Sequence, residues 1–265
     1  MPNSTSDSPR GPADLRTQFQ ALLHEVRTDL IKMATHVENG LTAVTAALLA
    51  GDIAAADQII SSDDDLDLAC FEVEDKCVRL LALQQPVAGD LRTVITDLRL
   101  VHEIERSGDL VTNIAKAIAR TAGVQLTPRI RDRLDDMRAQ AERLMEMSIS
   151  AYADTDAARA SMVHELDDVL DDLQLEYIAL VFESSEAGQM TVQHAVQMCV
   201  IGRFYERIGD HAVNIAERVQ YLVTGDVPEH TGAQRARARR AALALEEEAA
   251  GPQAAPGEAP AEPAG

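Results

Sequence analysis

A motif that occurs twice constrains the fold of this chain more than any other feature. The copies are EIERSGDLVTNIAKAI, which begins at Glu103, and FYERIGDHAVNIAERV, which begins at Phe204. An acid, a second acid four residues later and an amide four residues after that recur at an offset of 101 residues: Glu105, Asp109 and Asn113 in the first copy, and Glu206, Asp210 and Asn214 in the second. This offset is too long for a solenoid repeat and indicates a duplicated domain.

Each copy predicts a column of two carboxylates and one amide along a helix. Residues i, i+4 and i+8 lie on the same face of an α-helix. Two carboxylates at this spacing repel each other and destabilise an isolated helix by roughly 0.2–0.5 kcal/mol. The motif therefore favours a cation close to both acids, while the amides are interpreted as helix-to-helix hydrogen-bonding groups.

Composition limits both the core and the partners. Of the 265 residues 46% are apolar, but the chain has no Trp and only four Tyr and four Phe, so aliphatic side chains must build the core. Such a core favours packed helices over a β-sandwich. The formal net charge of −20 argues against nucleic acid as a partner, because phosphate binding needs a basic surface. The charge itself fits either cation binding or a well-hydrated surface.

The sequence predicts a cytoplasmic protein without a transmembrane segment. No apolar run approaches the roughly 18 residues that span a bilayer. The N-terminal stretch MPNSTSDSPRGPADL lacks the apolar segment of a signal peptide. Three cysteines, Cys70, Cys77 and Cys199, agree with a reducing compartment. Cys70 and Cys77 are interpreted as core residues, since seven positions on one helix separate them by about 10 Å.

Apolar periodicity and helix-breaking residues predict six long helices, which form a set of three that is repeated. The predicted helices cover about residues 13–50, 53–84, 88–122, 128–152, 156–184 and 191–223. Pro86 and Gly188 separate the second and third helices of each set, because both residues disfavour a continuing helix. We expect four segments: a disordered leader (1–12), a first bundle (13–123), a second bundle (124–225) and a low-complexity tail (226–265).

The middle helix of each half carries further acids at matching positions. Asp63 and Asp67 in the first half correspond to Asp167 and Asp171 in the second. Residues equidistant from the turn of an antiparallel hairpin lie side by side. Counting from the two turns therefore pairs each middle-helix acid with one acid of the motif: Asp67 with Glu105, Asp63 with Asp109, Asp171 with Glu206, and Asp167 with Asp210.

Four unneutralised carboxylates at one level of a helix pair would be strongly destabilising, because two unit charges 4 Å apart interact by about 4 kcal/mol at an effective dielectric of 20. Protons, arginines or metal ions can relieve this repulsion. Arg106 and Arg207 point away from the acids they follow, and all-carboxylate sites suit Mg, Mn, iron or zinc. The residues alone leave two interpretations open, metal clusters and solvated acidic faces. His102 and His211 are not assigned as ligands, because the Glu-x-x-His signature of di-iron bundles is absent.

The run CVRLLALQQPVAGDLRTVITDLRLVHEIERSGDLVTNIAKAI, with its echo GRFYERIGDHAVNIAERV, resembles the PhoU family of phosphate-signalling regulators over about residues 14–225. The resemblance implies an all-α fold of two tandem, pseudo-symmetric three-helix bundles. It also implies multinuclear metal clusters, of iron or zinc, with manganese or magnesium as alternatives. The predicted ligands are the eight acids described above: Asp63, Asp67, Glu105, Asp109, Asp167, Asp171, Glu206 and Asp210.

The resemblance further implies a cytoplasmic, dimeric adaptor at the inner face of the membrane, with no catalytic activity. Its partners would be the ATPase subunit of the phosphate ABC transporter and a sensor histidine kinase, and its output would be repression of phosphate-starvation genes. The rival hypotheses are a carboxylate-bridged metalloenzyme and a purely structural bundle. A metalloenzyme would need an open coordination position beside a substrate-sized pocket.

This chain departs from the family pattern at three places. Cys70 stands where family members often carry a further Glu, and Ser107 replaces an apolar residue kept as Ile208 in the second copy. We therefore expect the first cluster to hold fewer ions or a different metal. After about Pro228 the chain has an arginine-rich run over residues 235–240 and an Ala/Pro/Glu tail, which fit either an anionic contact surface or a solvated tail.

Overall fold

A computed structural model describes residues 12–226, and these residues form an all-α fold with no β-strand among them. The α-helices follow in chain order: α1 (Pro12–Ala50), α2 (Ile53–Ser61), α3 (Asp63–Gln84), α4 (Ala88–Ile118), α5 (Pro128–Asp154), α6 (Ala157–Glu186) and α7 (Val192–Thr224). A single 3-10 turn, Ala119–Thr121, extends α4. The all-α prediction is confirmed, and the predicted helix ends agree with the structure to within a few residues.

The prediction of one continuous helix over residues 53–84 was wrong, because the chain breaks at Ser62. The Ser62 N–H donates to the carbonyl oxygens of Gln58 and Ile59, at 3.0 and 3.2 Å, and closes α2. Three acids, Asp63, Asp64 and Asp65, then form the first turn of α3. Unpaired amides give a helix N-terminus a partial positive charge. A new helix that starts at Asp63 therefore stabilises the three acids of its first turn. The same acids would lack this stabilisation in the middle of a continuous helix.

The turns between helices follow the predicted helix-breaking residues. Helix α3 ends at Gln85 in the left-handed conformation, with φ 43°, immediately before Pro86. Thr127 caps α5, since its hydroxyl accepts a hydrogen bond from the Ile130 N–H at 3.4 Å. Gly188 takes φ 72° after α6, a conformation that glycine adopts without steric cost. These turns fold each half into antiparallel helices.

Aliphatic side chains from both halves form one continuous core. In α1 apolar residues recur at spacings of 4, 3 and 4, which predicts a long helix, and Val26, Leu30, Met33, Val37 and Leu41 are all buried as this spacing requires. Helices α1, α3 and α4 pack together in the first half, α5, α6 and α7 pack in the second, and α4 packs against α7 across the middle. Each helix thus keeps a polar face, and none within residues 12–226 is apolar enough over its length to cross a membrane.

Residues 12–225 belong to one compact unit. The predicted division after residue 123 falls in the connection between the 3-10 turn and α5, and the separation of the halves into two domains stays a prediction. The predicted leader (1–12) and tail (226–265), which includes the arginine-rich run, lie outside the described residues except for Pro12 and Asp226.

Helices α6 and α7 approach each other closely where Gly202 packs against the ring of Tyr177. A Cβ atom at Gly202 would lie 2.7 Å from both Cδ1 and Cε1 of Tyr177, whose ring is fully buried. The Tyr177 hydroxyl also donates to the Met198 carbonyl oxygen at 3.0 Å. Moving the ring aside would break this hydrogen bond. We expect Gly202→Ala to lower the free energy of unfolding by about 1–3 kcal/mol in urea titrations.

Gly89→Ala is the matched control, because a Cβ there meets nothing within 4 Å and alanine is the better helix former. This control is expected to be neutral or slightly stabilising. Equal unfolding midpoints for Gly202→Ala and the wild-type protein would contradict the close approach of α6 and α7 at Tyr177.

Candidate metal centres

The eight predicted acids lie at two equivalent positions, one in each half. Cluster 1 comprises the acids of α3 and α4, namely Asp63, Asp67, Glu105 and Asp109; cluster 2 comprises those of α6 and α7, namely Asp167, Asp171, Glu206 and Asp210. In both clusters the first acid of the middle helix and the glutamate are at least partly buried, and the other two acids are exposed. Each cluster therefore runs from the helix interface out to the surface.

The acids of cluster 1 act on one another electrostatically. Burial raises the pKa of Asp63; a hydrogen bond from Thr112 opposes this rise, and the charges of Asp109 and Asp67 add to it. Burial also raises the pKa of Glu105, with further contributions from Asp109 and Asp67. The counting argument from the hairpin thus placed all four acids within electrostatic reach of one another.

The acids of cluster 2 also raise one another's pKa values. Burial raises the pKa of Asp167 to about 7, and the charges of Asp171, Asp210 and Asp168 contribute to the rise. Burial also raises the pKa of Asp171, and the charge of Asp210 makes the next largest contribution to this rise. Asp171 therefore lies within electrostatic reach of Asp210, and its pairing with Glu206 stays a prediction.

One sequence difference that contributes to the contrast between the halves is at position 112. Asp63 has a hydrogen-bond partner in Thr112, but the residue 101 positions later is Val213, which has no hydroxyl. Asp167, the counterpart of Asp63, consequently has a buried Oδ1 atom without a hydrogen-bond partner among the described residues. This oxygen lies against α7, where only the missing side chain of Gly209 leaves room: a Cβ there would be 2.7 Å from it.

Arg203 lies beside cluster 2 and was not predicted from the sequence. Its guanidinium pairs with Glu206 three residues later, and a second nitrogen lies 4.0 Å from Oδ2 of Asp210. The i, i+3 spacing of Arg203 and Glu206 on one helix is the sequence signal for this pair. Arg203 engages only one oxygen of Glu206, since Glu206 Oε2 is buried and has no hydrogen-bond partner within the described part of the chain.

Cluster 2 therefore fits a metal ion on chemical grounds. It holds two buried carboxylate oxygens, on Asp167 and Glu206, that have no hydrogen-bond partner among residues 12–226, and leaving such an oxygen unpaired costs free energy. Hard and borderline cations accept such oxygens as ligands. One arginine cannot neutralise four carboxylates, so the residues present fit the binding of divalent or trivalent cations.

Asn214 and His211, which belong to the second copy of the motif, connect the two halves. The Asn214 side chain donates to Glu103 Oε2 at 2.9 Å, and His211 Nδ1 lies 2.7 Å from the same oxygen. Burial opposes ionisation of Glu103, but these two hydrogen bonds bring its pKa below the ordinary value. The helix-to-helix role predicted for Asn214 is confirmed, and Glu103 is the partner that the sequence did not reveal.

Two further acids, one half-buried and one buried, were not singled out from the sequence. Burial raises the pKa of Glu38 to about 7, with the charges of Glu146 and Glu142 adding to the rise. Asp97 is 1% exposed, and its pKa is likewise raised to about 7 by burial, against a hydrogen bond from Tyr152. Both acids come from α-helices that pack across the two halves, so no local spacing identifies them.

Comparisons with known proteins agree with this architecture. The PhoU domain matches the chain twice, at residues 30–118 and 134–219. The phosphate-specific transport system accessory protein PhoU homolog 1 of Mycobacterium tuberculosis is 32% identical over 81% of this chain and 96% of its own length. The PhoU homolog of Clostridium acetobutylicum is 31% identical over 79% of this chain and 96% of its own.

Two crystal structures share the fold. The phosphate transport system regulatory protein PhoU from Streptococcus pneumoniae superposes with a TM-score of 0.73 at 27% identity, covering 79% of this chain and 98% of that one. PhoU from Pseudomonas aeruginosa gives a TM-score of 0.73 at 30% identity, covering 78% of this chain and all of its own. The repeated domain, the relatives that match over nearly their whole length and the shared fold together establish that this chain belongs to the PhoU family.

Proposed function

We propose that this protein is a regulatory accessory of phosphate-specific transport that acts through protein contacts and catalyses no reaction. Membership of the PhoU family carries this proposal, since relatives matched over 96% of their length are described as accessory proteins of the phosphate-specific transport system. In this proposal the protein lies in the cytoplasm, against the inner face of the membrane. It contacts the ATPase subunit of the phosphate ABC transporter and works as a homodimer.

The proposed output is negative regulation. When phosphate is plentiful, the protein connects the transporter to a sensor histidine kinase and keeps phosphate-starvation genes repressed. Its outward-facing acids and the fourteen large apolar side chains that are exposed within residues 12–226 supply surface for such partners. An exposed apolar side chain is ordinary on its own, but larger contiguous patches are typical of interaction surfaces.

Metal clusters are the second part of the proposal. Iron or zinc, with manganese or magnesium as alternatives, would bind clusters 1 and 2 through the carboxylates of Asp63, Asp67, Glu105, Asp109, Asp167, Asp171, Glu206 and Asp210. Support comes from the buried, unpartnered oxygens of Asp167 and Glu206. A bound cation would cancel the repulsion within each cluster and hold each middle helix against its neighbour.

Deletion of the gene tests the regulatory proposal. We expect transcripts of the phosphate-uptake genes to rise in phosphate-rich medium to the level of starved cells, because the repressing component is gone. The wild-type gene should restore repression, and a gene carrying Asp109→Asn and Asp210→Asn should restore it only in part. Glu183→Gln, which changes an exposed acid of α6, is the matched control and should repress fully. Unchanged transcripts after deletion would refute the regulatory role.

A further inference from the structure

Three side chains of different chemistry meet beside cluster 1. Cys70 and Glu74 are four residues apart on α3 and project from one face, and His102 approaches from α4. The Cys70 sulfur, a Glu74 carboxylate oxygen and a His102 ring nitrogen all lie within 4.8 Å of one another. None of these residues belongs to the eight acids of clusters 1 and 2.

The distances are close to those of a metal site. A tetrahedral zinc ion has Zn–S bonds of about 2.3 Å and Zn–N and Zn–O bonds of about 2.0–2.1 Å, which places neighbouring ligand atoms roughly 3.3–3.6 Å apart. His102 Nε2 is already 3.0 Å from Glu74 Oε1. Closing the remaining distances takes a shift of about 1 Å, which is within the range of side-chain rotation.

The arrangement is specific to the first half. The positions equivalent to Cys70 and Glu74 in α6 are Gln174 and Ile178, and the position equivalent to His102 in α7 is Arg203. Arginine cannot donate a lone pair and isoleucine has none. In the second half the guanidinium of Arg203 therefore offsets part of the negative charge. In the first half the imidazole of His102 stands at that position, and the thiol of Cys70 lies beside it.

The surroundings favour a cation at this point. Cys70 lies at the edge of the core with 9% exposure. Burial, followed by the charges of Glu74, Glu105 and Asp67, raises the pKa of its thiol to about 11, so a metal ion must displace the thiol proton, and the same three carboxylates attract that ion. Apart from the contact with Glu74, His102 is exposed and its ring is free to reorient. An ion bound to these three residues would also lie within electrostatic reach of cluster 1.

We propose that Cys70, Glu74 and His102 form a binding site for a divalent transition metal of the zinc type, separate in its ligands from clusters 1 and 2. Thiolate and imidazole donors select borderline and soft cations, whereas carboxylates alone accept hard ones. Three protein ligands leave a fourth position for water, which is the composition of an open zinc site. The two halves of the protein thus differ in the metal they select.

Cobalt titration of the full-length protein tests this site, because cobalt reports thiolate ligation by its absorption spectrum. Metal-free, reduced protein is titrated with Co²⁺ and then with Zn²⁺. We expect one equivalent of Co²⁺ to produce a near-ultraviolet thiolate charge-transfer band, which Zn²⁺ abolishes by displacement. Cys70→Ser should remove the band, and both Cys70→Ser and His102→Gln should weaken zinc binding on the order of 100-fold, since even changes around the ligands cost about 10–100-fold.

Two controls separate this site from cysteine chemistry in general and from clusters 1 and 2. Cys199→Ser changes another partly buried thiol and should leave the cobalt spectrum intact. Asp63→Asn with Asp109→Asn alters cluster 1 and should also keep the charge-transfer band, even if the clusters bind no metal. His102 is exposed, so His102→Gln decides the question if Cys70→Ser fails to fold. A band that survives Cys70→Ser, a wild-type protein without one, or full zinc affinity in His102→Gln would overturn the site.

Discussion

Metal-free protein carrying Asp167→Asn is expected to unfold at a higher temperature than the metal-free wild-type protein at pH 8, and to gain less stability from added metal. Burial and neighbouring acids raise the pKa of Asp167 to about 7, so its carboxylate is charged at pH 8 at a cost to the folded state. An amide removes that charge. It also removes an oxygen that the proposed metal needs.

The size of the metal effect follows from mass action. A ligand at 100 times its dissociation constant stabilises the folded state by about 2.7 kcal/mol. For a folded region of about 200 residues this corresponds to a rise of roughly 5–10 °C in the unfolding temperature. We expect the wild-type protein to show a rise of this size with iron or zinc, and Asp167→Asn to show a small part of it.

Calorimetry of chelator-treated and metal-loaded protein measures both effects, and elemental analysis gives the bound metal. Glu165→Gln is the matched control, because Glu165 is an exposed acid of α6 that was not assigned as a ligand. It should respond to metal as the wild-type protein does. If Asp167→Asn and the wild-type protein gain equally from metal and carry equal amounts of it, Asp167 is not a ligand.

Periodicity and repetition in the sequence predicted the architecture well. The 4, 3, 4 spacing in α1 and the helix-breaking Pro86 and Gly188 depend on local rules that tertiary contacts do not overrule. Counting residues from the turns placed acids of neighbouring helices in electrostatic reach, because antiparallel helices keep a fixed register over short lengths. The count fixes only the approximate level of each acid, since it ignores helix crossing angle and rotation.

Features that depend on a single neighbour were not predictable. The helix break at Ser62 reflects competition between helix continuation and the charge of the next three acids. Asp167 Oδ1 has no hydrogen-bond partner among residues 12–226, and Val213 stands where the first half has Thr112, the hydrogen-bond donor to Asp63. Thr112 and Val213 are both common residues in helices. Their difference matters only because a carboxylate of the middle helix lies opposite this position. Buried acids such as Asp97 escape prediction for the same reason, because their burial comes from the packing of distant helices.

Asp97→Asn is expected to change the pH dependence of stability more than any other single substitution of an acid outside the clusters. Asp97 is 1% exposed and accepts a hydrogen bond from the Tyr152 hydroxyl at 2.7 Å, while its Oδ2 has no hydrogen-bond partner among residues 12–226. Burial raises its pKa to about 7, although the bond from Tyr152 and the charge of Arg27 oppose the rise. The folded protein therefore holds this proton over a pH range in which the unfolded chain has released it.

The sign of the effect follows from proton linkage. Below the unfolded pKa, near 3.9, Asp97 is protonated in both states and contributes no pH dependence. Between that value and about 7 only the folded state keeps the proton, so stability falls as the pH rises. Above pH 7 the loss is complete. A shift of about three pKa units corresponds to a loss on the order of 4 kcal/mol between pH 4 and pH 8.

Urea unfolding of chelator-treated protein at several pH values measures this loss as a difference between variant and wild type. The amide that Asp97→Asn introduces keeps an acceptor for Tyr152 and has no charge, so the variant should gain stability relative to the wild-type protein by on the order of 4 kcal/mol from pH 4 to pH 8. Other raised acids, such as Glu38, are common to both proteins and cancel in the difference. Asp75→Asn, an exposed acid of α3, should give a pH-independent difference. Parallel curves for Asp97→Asn and wild type would mean that Asp97 is ionised in the folded state at an ordinary pKa, with Arg27 and Tyr152 compensating its burial.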